Sequence, residues 1–188
     1  MKRVIIVHCW SGNPEYCWYP YAKHELEKNG FEVTVPAMPD TDEPNLAKWL
    51  AKLQEVVGNV DKDTYFIGHS VGCITIMRYL ETLPDDQKIG GVVFVAGFTH
   101  DLGFPELKNF FTTPINFEKI KSRAKGFVVI ASDNDPYVPL DQADILKNKL
   151  GAEIVIKHNM KHFSGAEDKE GACLELLDVV KSILKLSE

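Results

Sequence analysis

Thr64-Tyr65-Phe66-Ile67-Gly68-His69-Ser70-Val71-Gly72 decides the fold. Thr64–Gly68 is a short, continuously apolar run, which predicts a strand covered on both faces. After it, Val71, Ile74, Met77 and Leu80 recur at i, i+3 spacing, which predicts an amphipathic helix. The junction reads Gly68-x-Ser70-x-Gly72. With a strand before it and a helix after it, this G-x-S-x-G predicts a serine held in a strained backbone on a tight turn, its hydroxyl above the sheet at a helix N-terminus. The flanking glycines permit close approach of neighbouring segments. The Val71 N–H then points at a developing oxyanion.

The same alternation extends outward in both directions. Arg3–His8, Phe31–Pro36, Gly91–Ala96, Gly126–Ala131 and Glu153–Lys157 are further short apolar runs. Helical patterns lie between them. Tyr16–Asn29 ends at Gly30, Asn45–Val57 ends at Gly58 with Leu46, Leu50 and Leu53 on one stripe, and Leu140–Leu150 is closed by Gly151. Asn116–Lys121 reads as a short helix, and Glu170–Leu186 as a terminal one with Leu177, Val180 and Leu184 inward. Strand-helix alternation of this kind predicts βαβ units and a parallel sheet, in one domain spanning 1–188. One stretch, Gly97–Pro114, is too long for an ordinary connection and carries Phe98, Phe104, Phe110 and Phe111; it reads either as the wall of a site or as a core-packing excursion.

Charge and composition exclude several functions. Against 27 Asp and Glu stand 21 Lys and Arg, a net charge of -6, so nothing supports binding to a nucleic-acid backbone. No apolar run reaches a membrane-spanning length. The apolar run after Met1-Lys2-Arg3 is too short for a secretion signal, and four cysteines are too few for a disulfide scaffold; both point to a cytoplasmic protein. There is no phosphate-binding G-x-x-x-x-G-K-[ST] and no G-x-G-x-x-G after the first strand, so no nucleotide or nicotinamide cofactor is implied. His8, Cys9 and Cys17 lack the companion cluster of a metal site.

A serine hydroxyl needs a base, and on this kind of turn the chain order is serine, acid, histidine. That order removes His8, His24 and His69 as bases, and His100 precedes the acid. Of the two remaining, His162 lies in a loop free to reach over the sheet edge, whereas His158 ends the last strand. Asp133 and Asp135 both follow the preceding strand; Pro136 biases Asp135 towards an extended backbone and singles it out. Asp135 then binds His162 Nδ1–H. The second oxyanion donor is expected in His8-Cys9-Trp10-Ser11-Gly12, with the Cys9 and Trp10 N–H groups both open. Trp10, Trp18, Tyr19, Phe98, Phe104, Phe110 and Phe111 are candidates to line an acyl pocket.

These residues resemble the α/β-hydrolase superfamily and, within it, the small YdeN-like serine hydrolases, the group that contains retinoblastoma-binding protein nine. More particular to this group are Ala37-Met38-Pro39-Asp40, Thr99-His100-Asp101-Leu102-Gly103, Phe111-Thr112-Thr113-Pro114, Asp135-Pro136 with Pro139, and His162-Phe163. The resemblance implies a three-layer α/β sandwich of about six parallel strands in the order 2-1-3-4-5-6, without a large cap domain. It also implies Ser70 as nucleophile, Asp135 as acid and His162 as base, without cofactor or metal, acting on a small-molecule ester, thioester or amide. The first loop departs from the group by placing Cys-Trp-Ser where small residues are expected. Retinoblastoma-protein binding is not implied: Gly171-Ala172-Cys173-Leu174-Glu175 lacks the leading leucine of L-x-C-x-E. The alternative is a non-catalytic interaction module that retains the fold; intact Ser, Asp and His types argue against it.

Overall fold

Each apolar run becomes a strand. The computed structural model describes residues 1–165 and 173–188. The strands are β1 (Arg3–Val7), β2 (Glu32–Thr34), β3 (Thr64–His69), β4 (Gly91–Val95), β5 (Phe127–Ser132) and β6 (Glu153–Lys157). All pair in parallel in the order β2-β1-β3-β4-β5-β6. The central strands β3, β4 and β5 are buried at every position, which is why their sequences are apolar without alternation. The edge strand β6 is half-exposed.

Helices α1 (Tyr19–Lys28), α2 (Leu46–Val57), α3 (Val71–Thr82), α4 (Phe117–Arg123), α5 (Asp141–Leu150) and α6 (Leu177–Leu186) complete the layers, with α1 against α6 and α2 to α5 packed in succession. Among the described residues no large cap is inserted, and no helix is long and apolar enough to cross a membrane. Asn45 and Asn116 cap α2 and α4 by accepting from the N–H groups of Lys48 and Lys119. Pro20 opens α1, whose start lies three residues after the expected Tyr16 because Cys17 turns with φ 45°.

Three helix faces differ from the sequence reading. In α2 the buried stripe is Trp49, Leu53 and Val57. The large indole turns inward, donates to the Pro39 carbonyl at 2.8 Å, and leaves Leu46 and Leu50 half-buried. Helix α3 is buried on all sides from Val71 to Tyr79 and Leu80, because α2 and α4 flank it over the sheet. In α6 the core side is Val179, Val180 and Ile183, in step with buried Leu176, so Leu177 turns out to 45% exposure. Cys173–Leu176 is not helical, and the rest of the expected start, 170–172, lies outside the described residues.

The Gly97–Pro114 connection contains a short 3-10 helix, Pro105–Phe110, and is fastened at three places. Gln142 Oε1 accepts from Thr99 N–H and Oγ. Asn109 Oδ1 accepts from Leu46 N–H, and its amide donates to the Pro44 carbonyl. Arg78, buried in α3, donates to the carbonyls of Phe110, Thr113 and Pro114. A buried guanidinium with its donors this well occupied avoids the penalty of an unpaired charge; Glu81 Oε2 at 2.9 Å supplies the counter-charge.

Candidate active site

The turn between β3 and α3 is dictated by contact distances. A side chain at Gly72 would place its Cβ 2.1 Å from the Val7 carbonyl oxygen, and one at Gly68 would sit 2.8 Å from the Cys73 backbone. Between them Ser70 adopts φ 54°, ψ -118°, a left-handed conformation disfavoured for a side-chain-bearing residue. Its N–H donates to Val95 O at 2.9 Å and its carbonyl accepts from Cys73 N–H at 2.9 Å, so the strain is held by neighbouring strand and helix.

Ser70 Oγ lies 2.9 Å from His162 Nε2. On the far side of the ring, His162 Nδ1 lies 2.8 Å and 3.0 Å from the two oxygens of Asp135. The carboxylate is fixed in turn: its Oδ1 accepts from Tyr137 N–H at 2.9 Å and Val138 N–H at 3.0 Å. The side chains of His162 and Asp135 are 10% and 2% exposed. This is a continuous hydroxyl–imidazole–carboxylate line, with Nδ1–H donated to Asp135 and Nε2 left to accept the Ser70 proton. The second sequence candidate pair, Asp133 and His158, also meets at 2.5 Å, but His158 is 79% exposed and does not line the cavity that holds Ser70.

Ser70 and His162 line a cavity of about 330 Å³. Trp10, Phe98, Leu102, Phe104, Leu107 and Val138 give it apolar walls, and Cys9, Ser11, Tyr16, Tyr137 and Ser164 add small polar or aromatic surface. Among the described residues, no Asp, Glu, Lys or Arg lines it. Trp10 meets Phe104 edge-on at 6.1 Å, and Tyr137 meets His162 edge-on at 5.1 Å.

Four expected pocket residues are elsewhere. Trp18 is wholly buried, edge-on to Tyr19 at 4.7 Å, because it belongs to the core under α1. Phe110 is wholly buried against Trp49. Phe111 lines a separate, shallower depression with Thr99 and Pro114. Tyr19 is also wholly buried and faces the core. An aromatic residue in a loop and one in the core look alike in sequence, and only packing separates them. Tyr137, Leu102 and Leu107 were missed; the signal for Tyr137 was its place directly after Asp135-Pro136.

The first loop narrows the choice of second donor. Cys9 N–H is already engaged, donating to the Tyr19 hydroxyl at 3.0 Å, so it is unavailable to a substrate oxygen. Cys9 O accepts from Gly12 N–H at 3.1 Å and from His8 Nδ1 at 2.8 Å. His8 Nε2 accepts from Met38 N–H at 3.0 Å, which fixes that tautomer, and burial holds the ring below its ordinary histidine range and neutral. The Cys9 carbonyl shares its peptide plane with Trp10 N–H, so these bonds also fix the direction of that N–H.

A family model described as serine hydrolase matches residues 4–171. YdeN of Bacillus subtilis (strain 168), named as a hydrolase, is 31% identical over 163 residues, 86% of each chain. The serine hydrolase RBBP9 of Rattus norvegicus is 30% identical over 187 residues, 97% of this chain and 95% of its own. The crystal structure of the ydeN gene product matches with a TM-score of 0.89 at 28% identity, covering 99% of this chain and 98% of the other. Est1E from Butyrivibrio proteoclasticus, solved with ferulic acid bound, shares the fold at a TM-score of 0.78 and 17% identity, over 99% of this chain and 89% of its own.

Proposed function

The chain belongs to the serine hydrolase family, and from that premise we propose that it cleaves small, uncharged carboxylic esters through an acyl-enzyme on Ser70. The observation that carries the reading is the 2.9 Å contact between Ser70 Oγ and His162 Nε2, two residues that line an apolar cavity. His162 takes the hydroxyl proton as Oγ attacks the acyl carbon, and Asp135 holds the ring in the tautomer that accepts it and steadies the imidazolium. The tetrahedral oxyanion is received by Val71 N–H at the start of α3 and by Trp10 N–H. His162 then returns its proton to the leaving oxygen, and water activated by the same ring releases the acid. Thioesters and amides present the same carbon to the same oxygen; amides have the poorer leaving group and react more slowly.

The absence of charge among the described lining residues supports this substrate class. A carboxylate or ammonium on the acyl group would be desolvated in the cavity without a partner, which is costly. A fluorophosphonate probe tests the nucleophile: wild type takes up label and Ser70→Ala takes up none. Absence of labelling in the folded wild type, or equal labelling of the variant, refutes the assignment and favours an interaction module. A series of p-nitrophenyl esters tests the class: short aliphatic and aromatic acyl groups turn over, whereas hemisuccinate-type anionic esters fall at least about tenfold behind.

A further inference from the structure

His69 stands inside the G-x-S-x-G but has no part in the chemistry just described. Its ring is wholly buried and hydrogen-bonded at both nitrogens. Nε2 lies 2.7 Å from the His162 carbonyl oxygen, and Nδ1 lies 2.7 Å from the Tyr19 hydroxyl, which itself accepts from Cys9 N–H at 3.0 Å. The ends of this chain fix every proton in it. A carbonyl only accepts, so His69 Nε2 donates; a backbone N–H only donates, so Tyr19 oxygen accepts and its own proton goes to His69 Nδ1. The pattern is complete with a neutral imidazole, as burial and the neighbouring His162 ring require: they lower His69 to about 3.

The two ends lie beside two partners of the proposed reaction. At one end, Cys9 leads into the peptide that carries Trp10 N–H. At the other, His162 is flanked by Lys161 at φ 51° and Phe163 at φ 55°, two side-chain-bearing residues in the left-handed region. Such a turn persists only where its surroundings over-determine it. The His162 carbonyl is the atom between them, and Trp18 packs edge-on to the Tyr19 ring at 4.7 Å and against His69 at 5.7 Å, closing the relay from the side.

We infer that Tyr19 and His69 are positioning residues that hold the loop of the general base and the loop of the oxyanion donor in register across Ser70, without touching the substrate. This rests on the hydrolase reading above. A small displacement of either loop lengthens the Ser70–His162 or the Trp10–oxyanion contact, and misplacement of that order costs up to about a hundredfold in rate. Ground-state binding in the apolar cavity depends on neither contact and stays as it is.

The experiment compares wild type with Tyr19→Phe, His69→Leu and His69→Gln, measuring kcat and KM on a p-nitrophenyl ester, the rate of fluorophosphonate labelling, and the melting temperature. Tyr19→Phe keeps the ring and deletes one hydroxyl, so it serves if His69→Leu fails to fold. The expected result is a roughly 10–100-fold lower kcat for Tyr19→Phe, with KM within about threefold and labelling slowed in parallel. His69→Gln retains one donor and one acceptor and recovers part of the loss suffered by His69→Leu. Wild-type kcat and labelling in Tyr19→Phe overturn the relay, as does a rise in KM with kcat unchanged. A wild type that takes no label overturns the hydrolase reading, and this inference falls with it; a labelled wild type with an equally labelled Tyr19→Phe overturns the relay alone.

Discussion

The loops after β5 and β6 are joined by the same residue pair twice. Asp133 meets His158 at 2.5 Å and Asp135 meets His162 at 2.8 Å, two positions and four positions further along their respective loops. The outer pair is the shorter contact but lies in water, with His158 79% exposed and Asp133 35%. The inner pair is 10% and 2% exposed, and its imidazole has a hydroxyl on its other nitrogen. Pairing alone therefore does not make a base. What separates the two is that the inner carboxylate is buried and tied by two backbone N–H groups, and its histidine lines the cavity beside Ser70, whereas the outer one ties down a loop through Asn159 N–H. The outer pair acts as a clasp, together with Ser132 Oγ on Met160 N–H and Asn134 Oδ1 on Lys161 N–H.

The largest difference should appear in turnover. Asp135→Asn presents the wrong hydrogen-bonding group to Nδ1 and should lower kcat by roughly 10³–10⁴-fold, read with an ester assay at saturating substrate. Asp133→Asn should leave kcat within about threefold, because Asp133 pairs with His158 and Asn159 N–H rather than with Ser70 or His162. Equal losses in the two variants would erase the distinction drawn between the pairs.

Acid stability separates buried from exposed histidines next. His8 and His69 are held neutral by burial, so the unfolded chain binds more protons than the native one below about pH 6.5. Stability from these groups is present above that pH and is lost as pH falls towards the lowered native values. Urea denaturation between about pH 4 and 7 should show a slope of at most about 1.4 kcal/mol per pH unit for each such ring. His69→Gln should flatten it; an unchanged slope in that variant would mean that the ring is charged in the native state. The smallest effect is that of the clasp itself. His158→Ala removes an exposed pair and should leave the urea midpoint at neutral pH nearly where it is, with kcat unchanged.

The sheet was legible because its strands are covered on both sides: the continuous apolar runs from Thr64 and from Gly91 admit few other readings. The turn at Ser70 was legible because Gly68 and Gly72 are demanded by contacts of 2.8 Å and 2.1 Å that no other residue tolerates. Chain order then ranked six histidines down to two. The cavity was less legible. Trp18 and Phe110 are as aromatic as Trp10 and Phe104, and whether a ring faces the core or the cavity depends on elements distant in sequence. The Tyr19–His69 relay was invisible for the same reason: its four members come from the first loop, α1, β3 and the loop after β6. Helix phase failed where one large side chain outweighed the leucine stripe, as Trp49 does in α2.

The grip of Arg78 on the Phe110, Thr113 and Pro114 carbonyls joins the cavity wall to the helix that begins at Ser70. Wall and Ser70 are thus tied through one helix, with Gln142 and Asn109 pinning the remainder of the segment. Among the described residues, no part of this wall is left to swing as a gate, and under the proposed hydrolysis product release should need no conformational step of the wall. Progress curves should accordingly start without a lag, and turnover should be governed by the covalent chemistry at Ser70.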